Sequence, residues 1–155
     1  QMAAALGGVI NGGTYYQPHL VEQVVDGSGK TTKVANKVIK SDVVSPKVSQ
    51  QMITLMQGVV GRNYALYGLK KPNDSYVIGG KTGTAEIPKP TGGYYEDRFN
   101  GTFMGFVGGD NPEYVIIVRV NEPKIGGYAG SKAAAPIFSK LTNMLIDNFN
   151  IIPRQ

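Results

Sequence analysis

Residues 2–10 are almost all apolar, and the run stops at Asn11-Gly12-Gly13. This predicts a short buried helix with a glycine terminator. Valines then cluster over residues 19–25 and 31–39, around Asp26-Gly27-Ser28-Gly29. That pattern predicts a peripheral hairpin. Ser45-Pro46 marks a helix start, because serine caps free N–H groups and proline suits the first helical position. Val48, Met52, Leu55, Met56 and Val59 recur at helical spacing after it, and Gly61 is the expected stop. A polar stretch through Pro72-Asn73-Asp74-Ser75 reads as a loop, with 62–76 as a candidate flexible flap.

The second half is patterned for strands. Tyr76 to Ile87 is strand-like around a glycine-rich centre, and Pro88, Pro90, Gly92 and Gly93 predict a loop. That loop is expected to carry Tyr94, Tyr95, Glu96, Asp97 and Arg98 as ordinary exposed residues, with a place bordering a ligand cleft as the alternative. Phe99–Val107 and Tyr114–Val120 are the next strands, separated by Gly108-Gly109-Asp110-Asn111-Pro112. The short links predict an antiparallel meander. Ala134, Ile137, Phe138, Leu141, Met144, Leu145 and Phe149 then trace one face of a closing helix. Pro136 fits only its first turn, so the helix should begin near Ala133. No repeat or linker interrupts the chain, which reads as one α+β unit with an antiparallel sheet flanked by helices.

Composition narrows the chemistry. The chain has 155 residues, 41% hydrophobic and 17% charged, which is globular rather than disordered. It has no cysteine, which excludes disulfides and thiolate metal sites. His19 is the single histidine, and a Ser-His triad or an imidazole metal site would have to use it. Its setting between Gln17-Pro18 and Leu20-Val21 favours a strand-edge histidine, so no metal or other cofactor is expected. The formal charge is +5, but the lysines are scattered and form a solvated basic surface. No stripe of interleaved basic and aromatic residues favours a nucleic-acid partner. The longest apolar runs, such as Val115-Ile116-Ile117-Val118, are far shorter than the roughly 20 residues of a membrane-spanning helix. Gln1 followed by Met2-Ala3-Ala4-Ala5-Leu6 looks like mid-helix sequence without a leader, so the chain is expected to be a piece of a longer one.

The informative stretch is Gly79-Gly80-Lys81-Thr82-Gly83-Thr84-Ala85. It combines a cation, two hydroxyls and glycines that leave backbone N–H groups reachable, which suits an anionic ligand. One reading is a phosphate loop, but Ser75 stands where its first glycine belongs. Gly83, Pro88 and Pro90 also oppose the helix that must follow. The other reading is the K-T-G box of penicillin-binding serine acyl-transferases.

The surroundings extend the second reading. After the box come Phe103-Met104-Gly105-Phe106-Val107-Gly108, Val115-Ile116-Ile117-Val118, Gly126-Gly127 and Ala133-Ala134-Ala135-Pro136-Ile137-Phe138. Before it stand Gln1-Met2-Ala3-Ala4-Ala5, Asn11-Gly12-Gly13-Thr14, Pro18-His19-Leu20-Val21 and Met56-Gln57-Gly58-Val59-Val60. In this order the chain resembles, over nearly its whole length, the C-terminal part of class B penicillin-binding proteins. Those proteins are monofunctional peptidoglycan D,D-transpeptidases.

The resemblance implies a serine acyl transfer on stem peptides ending in D-Ala-D-Ala, with β-lactams acylating the same serine. It implies that Lys81 favours the substrate carboxylate and assists proton transfer. Thr82 and Thr84 would donate hydroxyl hydrogen bonds to that carboxylate, and Gly83 would keep the strand open. The Thr84 N–H would form half of the oxyanion hole. No serine has lysine three residues on, and no S-x-N occurs. The nucleophile is therefore expected upstream, and residues 1–155 are read as the C-terminal portion of one transpeptidase domain, inactive alone. By resemblance, N-terminal strands complete a five-stranded penicillin-binding/β-lactamase-like sheet beside Tyr114–Val120. The missing part or a second chain, and other cell-wall synthesis proteins, are the implied partners besides stem peptides and β-lactams. The implied location is the extracytoplasmic face of the bacterial cytoplasmic membrane. The rival reading is a non-catalytic peptide- or protein-binding module of the same fold.

Overall fold

In the computed structural model, which describes residues 1–67 and 75–154, the first apolar run forms α1, Met2–Ile10. It buries Leu6, Gly8 and Ile10. The chain turns at Gly13, whose φ is +106°, and a Cβ there would lie 2.0 Å from the Val44 carbonyl oxygen. Only glycine meets both demands. The chain divides into two compact units, Gln1–Gln50 and Gln51–Gln155.

In the first unit, the expected hairpin becomes two short antiparallel ladders. β1, Tyr15–Tyr16, pairs with Val38–Lys40, and β2, Gln23–Val25, pairs with β3, Thr31–Lys33. Val38–Lys40 is β4. The Asp26 carboxylate accepts from the Ser28 and Lys30 N–H groups and closes the β2–β3 turn. Leu20, Val24, Val25 and Ile39 are exposed, so the valine pattern marked strands without marking a buried face. His19 is not at a strand edge. It is exposed in a loop, with its ring nitrogens 2.9 Å from the Val21 oxygen and 3.0 Å from Asn36 Oδ1.

α2 spans Pro46–Asn63, and Ser45 Oγ accepts from the Val48 N–H at 3.3 Å, as its capping role requires. Gly61 does not stop it, since a glycine inside a helix weakens it by about 1 kcal/mol without breaking it. The buried side is Ile53, Met56 and Val60, while Val48 and Leu55 of the expected stripe are exposed. Apolar residues fit helical spacing in two phases here, so the period shows a helix without fixing which side is buried. Residues 68–74 of the expected flap lie outside the described residues.

The second unit is built on an antiparallel sheet of order β5-β6-β7: Val77–Pro88, Tyr94–Gly108 and Pro112–Asn121. The meander is as expected, but the strands run further. Tyr94, Tyr95, Glu96, Asp97 and Arg98 belong to β6, not to a loop. The turn is confined to 89–93, where Gly92 and Gly93 take φ of +94° and +76° and Lys89 bonds Gly93 and Gly92. Pro88 is tolerated at a strand end, where the register shifts.

The closing helix is split into α3, Gly130–Ala133, and α4, Ala135–Asn148, with Pro136 in the first turn of α4. The core of this unit lies on the sheet face carrying Phe103 and Val118, against Val60, Tyr67, Ala134, Ala135 and Phe138. Phe103 is wholly buried, with ring centroids 4.5 Å from Phe138 and 5.3 Å from Tyr67.

Candidate functional site

The K-T-G stretch is the exposed half of β5. Gly79 and Gly80 precede it because a Cβ at either would lie 2.3 Å from a ring carbon, of Phe106 and Phe103 respectively. The two rings lie against opposite faces of β5 and fix its course up to Lys81. The register pairs Lys81 with Met104, Thr82 with Phe103, Gly83 with Thr102 and Thr84 with Gly101. Successive side chains alternate between faces. Lys81 and Gly83 therefore share one face, while Thr82 and Thr84 share the face that carries Phe103.

β5 pairs with β6 alone among the described residues, so its other edge is open. Alternate residues of such an edge present N–H and C=O groups to whatever lies alongside. The Lys81 ammonium is exposed and donates to the Thr82 carbonyl at 3.1 Å and to Thr82 Oγ1 at 3.4 Å. Cation and hydroxyl thus meet at the edge although their side chains leave from opposite faces. Among the described residues no carboxylate forms an ion pair with Lys81. A Cβ at Gly83 would meet only Thr102 Cβ, at an ordinary 3.6 Å, so this glycine leaves room outside the sheet rather than relieving a clash within it. Thr84 is exposed, and its Oγ1 accepts from the Gly130 N–H at 3.2 Å.

β5 continues as strand to Pro88, so no helix N-terminus follows Lys81-Thr82. This removes the phosphate-loop reading. What remains is an edge strand whose ammonium and outward backbone groups have, among the described residues, no ion pair and no strand partner, with two hydroxyls beside them. Such an edge can hold an extended ligand bearing a carboxylate.

A second cluster braces the outer end of the hairpin. Arg98 Nε donates to Glu122 Oε1 at 2.9 Å, Arg98 Nη2 bonds the same oxygen, and Lys124 lies 3.7 Å from Oε2. The Arg98 guanidinium also sits 4.3 Å from the Tyr95 ring centroid. Glu122 has φ of +46°, an unusual conformation for a non-glycine, and its N–H donates to the Phe99 carbonyl at 3.0 Å. Phe99 stacks on Tyr128 at 4.2 Å. Sequence reading missed this cluster, because Arg98 and Glu122 are 24 residues apart and only the β6–β7 register brings them together.

The Arg98 hydrogen bond holds the Glu122 carboxyl below its ordinary range. A depressed carboxylate pKa adds stability that is present above the unfolded value and is lost as pH falls through the folded one. Glu122→Gln should therefore lower the melting temperature at neutral pH. The difference from the parent should vanish well below the ordinary carboxyl range of about pH 4. Melting curves across pH check this, and a constant difference would show that the ion pair is not its source.

Known proteins match the chain on sequence and shape. The family model described as "Penicillin binding protein transpeptidase domain" matches residues 1–143. Stage V sporulation protein D of Bacillus subtilis is 33% identical over 100% of this chain and 24% of its own length. Penicillin-binding protein PbpB of Mycolicibacterium smegmatis is 30% identical, covering 97% of this chain and 24% of its own. The solved structure of penicillin-binding protein 3 from Mycobacterium tuberculosis complexed with ampicillin is 26% identical, with a TM-score of 0.78. It covers 98% of this chain and 35% of that one. The chain thus spans about a quarter of the length of these curated relatives.

Proposed function

The chain belongs to the penicillin-binding protein transpeptidase family, and on that premise we propose that it forms part of a peptidoglycan D,D-transpeptidase. Residues 1–155 are the C-terminal portion of its transpeptidase domain. The whole protein cross-links stem peptides by serine acyl transfer on D-Ala-D-Ala and is acylated by β-lactams. The observation that carries this reading is the β5 edge left open among the described residues, with an exposed Lys81 that forms no ion pair among them and the Thr82 and Thr84 hydroxyls.

In this reading the ligand lies along β5. Its carboxylate is held by Lys81, Thr82 and Thr84, and Gly83 leaves space for it. The Thr84 N–H meets the oxyanion that forms when the carbonyl is attacked, and such a donor lowers the barrier by about 3–4 kcal/mol. Residues 1–155 hold no S-x-x-K and no S-x-N. The serine, its base lysine and the second oxyanion donor come from elsewhere in the protein, and residues 1–155 alone are inactive.

β7 also pairs on one side only among the described residues. Further strands, from the rest of the protein or a second chain, complete the sheet to five along its outer edge. No helix among the described residues is long and apolar enough to cross a membrane. The proposed location, outside the cytoplasmic membrane with other cell-wall synthesis proteins, follows from the reaction proposed.

Intact mass of the longest natural form, with and without a penicillin, tests the reading. A gain of one drug mass on a serine outside residues 1–155 is expected, with no gain on residues 1–155 alone. No gain by the folded whole protein would contradict it and favour the non-catalytic binding module.

A further inference from the structure

Gly130 opens α3, is buried, and reaches across 46 residues of sequence to give its N–H to Thr84 Oγ1 at 3.2 Å. There is no room for a side chain at that position. A Cβ on Gly130 would lie 2.2 Å from the Thr102 carbonyl oxygen and 2.4 Å from the Gly83 carbonyl oxygen. Both are backbone atoms of a paired position in β5 and β6, so neither can yield. Gly101, the register partner of Thr84, is shaped for the same approach. A Cβ there would lie 2.8 Å from the Tyr128 carbonyl oxygen and 2.9 Å from Ala133 Cβ. Two glycines on facing elements thus let the segment after β7 touch the sheet backbone behind Thr84. The stack of Phe99 on Tyr128 holds the approach to Gly130 in place.

A hydroxyl has one hydrogen and two acceptor lone pairs. The Gly130 N–H occupies a lone pair and offers nothing for the hydroxyl hydrogen to bond. That hydrogen is therefore turned away from Gly130, and Thr84 is exposed on its other side. We propose that Gly130 is a positioning residue: its N–H commits the Thr84 hydroxyl to donating toward a carboxylate-bearing ligand on the β5 edge. The inference rests on the proposed reading that Thr84 meets the ligand carboxylate, and deepens it.

The test uses the longest natural form of the protein and two probes, a penicillin and its methyl ester, which lacks the anionic carboxylate. Acylation rates are compared for Thr84→Val, Gly130→Ala and the double variant. A lost hydrogen bond to a charged group corresponds to about 10- to 100-fold. Thr84→Val should lower the penicillin rate by that factor and barely change the ester rate. A Cβ must push Gly130 off the strand backbone, so Gly130→Ala breaks the bond to Thr84 Oγ1 and also loses some packing. Its loss should still be larger on the penicillin than on the ester, and the excess on the penicillin should be no greater in the double variant than in Thr84→Val. Equal loss on both probes by Gly130→Ala, or an additive excess in the double variant, would reduce Gly130 to a packing role and overturn the inference. No selective loss in Thr84→Val would overturn the carboxylate reading beneath it.

Amide hydrogen exchange at Gly130 separates the two failures and survives a Gly130 variant that does not fold. Slow exchange should persist in Thr84→Ser and speed up in Thr84→Val, by about tenfold for one neutral hydrogen bond. Unchanged exchange in Thr84→Val would refute the Gly130–Thr84 bond whatever the ligand does.

Discussion

Lys81→Ala in the whole protein should slow acylation by a penicillin by about 100- to 1,000-fold, the loss seen when one preorganised electrostatic group is removed. The side chain is exposed and, among the described residues, bonds only its neighbour Thr82, so it does little for folding. Stability should stay within about 0.5 kcal/mol of the parent, as for other surface substitutions. Its value lies in being a cation with no ion pair among the described residues, on a strand edge that none of them covers. Lys81→Arg keeps the charge but replaces a compact ammonium with a planar fork, so it should recover only part of the rate. Stopped-flow acylation kinetics with a melting curve for each variant separate chemistry from folding. A Lys81→Ala protein that acylates at the parent rate would remove Lys81 from the site.

Phe103→Ala should lower unfolding free energy by about 3–5 kcal/mol, the range for deleting a buried aromatic ring. Phe103 is wholly buried, is held between Tyr67 and Phe138, and covers the space that Gly80 leaves. Phe138, on α4, and the close backbone of Gly80 in β5 lie against the ring and resist collapse into the space it would leave. It is also the register partner of Thr82, so loosening it loosens the strand that carries the site. Denaturant unfolding of the parent and the variant checks the magnitude. Leu55→Ala, at a position 62% exposed, should change stability by less than about 0.5 kcal/mol and serves as the control. A loss at Phe103 no larger than that at Leu55 would mean the core does not lie on this face of the sheet.

Much of this was legible in the sequence because the signals were local. The apolar run of α1 ends at glycines that must take positive φ, and Ser45-Pro46 announces α2 by capping chemistry. The K-T-G strand is a weak signal by itself, and the order of the motifs before and after it in the chain carries its reading. What was lost depended on pairing over distance. Tyr94 to Arg98 read as loop because Pro88, Pro90 and the glycines flank them, yet the turn needs only five residues and the ladder resumes at once. Of the α2 stripe, Met56 is buried, Met52 and Val59 are half-buried, and Val48 and Leu55 are exposed, because two apolar phases fit one helical period. The Arg98–Glu122 pair and the Gly130–Thr84 bond had no sequence signal at all, since each joins residues that only the sheet register or the return of α3 brings together.

A crystal structure of the longest natural form after reaction with a penicillin tests the central claim most directly. The drug should be bonded to a serine outside residues 1–155, its carboxylate against Lys81, Thr82 and Thr84. Its acyl oxygen should lie about 3 Å from the Thr84 nitrogen, the separation of a hydrogen bond to an oxyanion-hole donor. A drug bound away from β5, or one whose carboxylate points away from Lys81, would contradict the account.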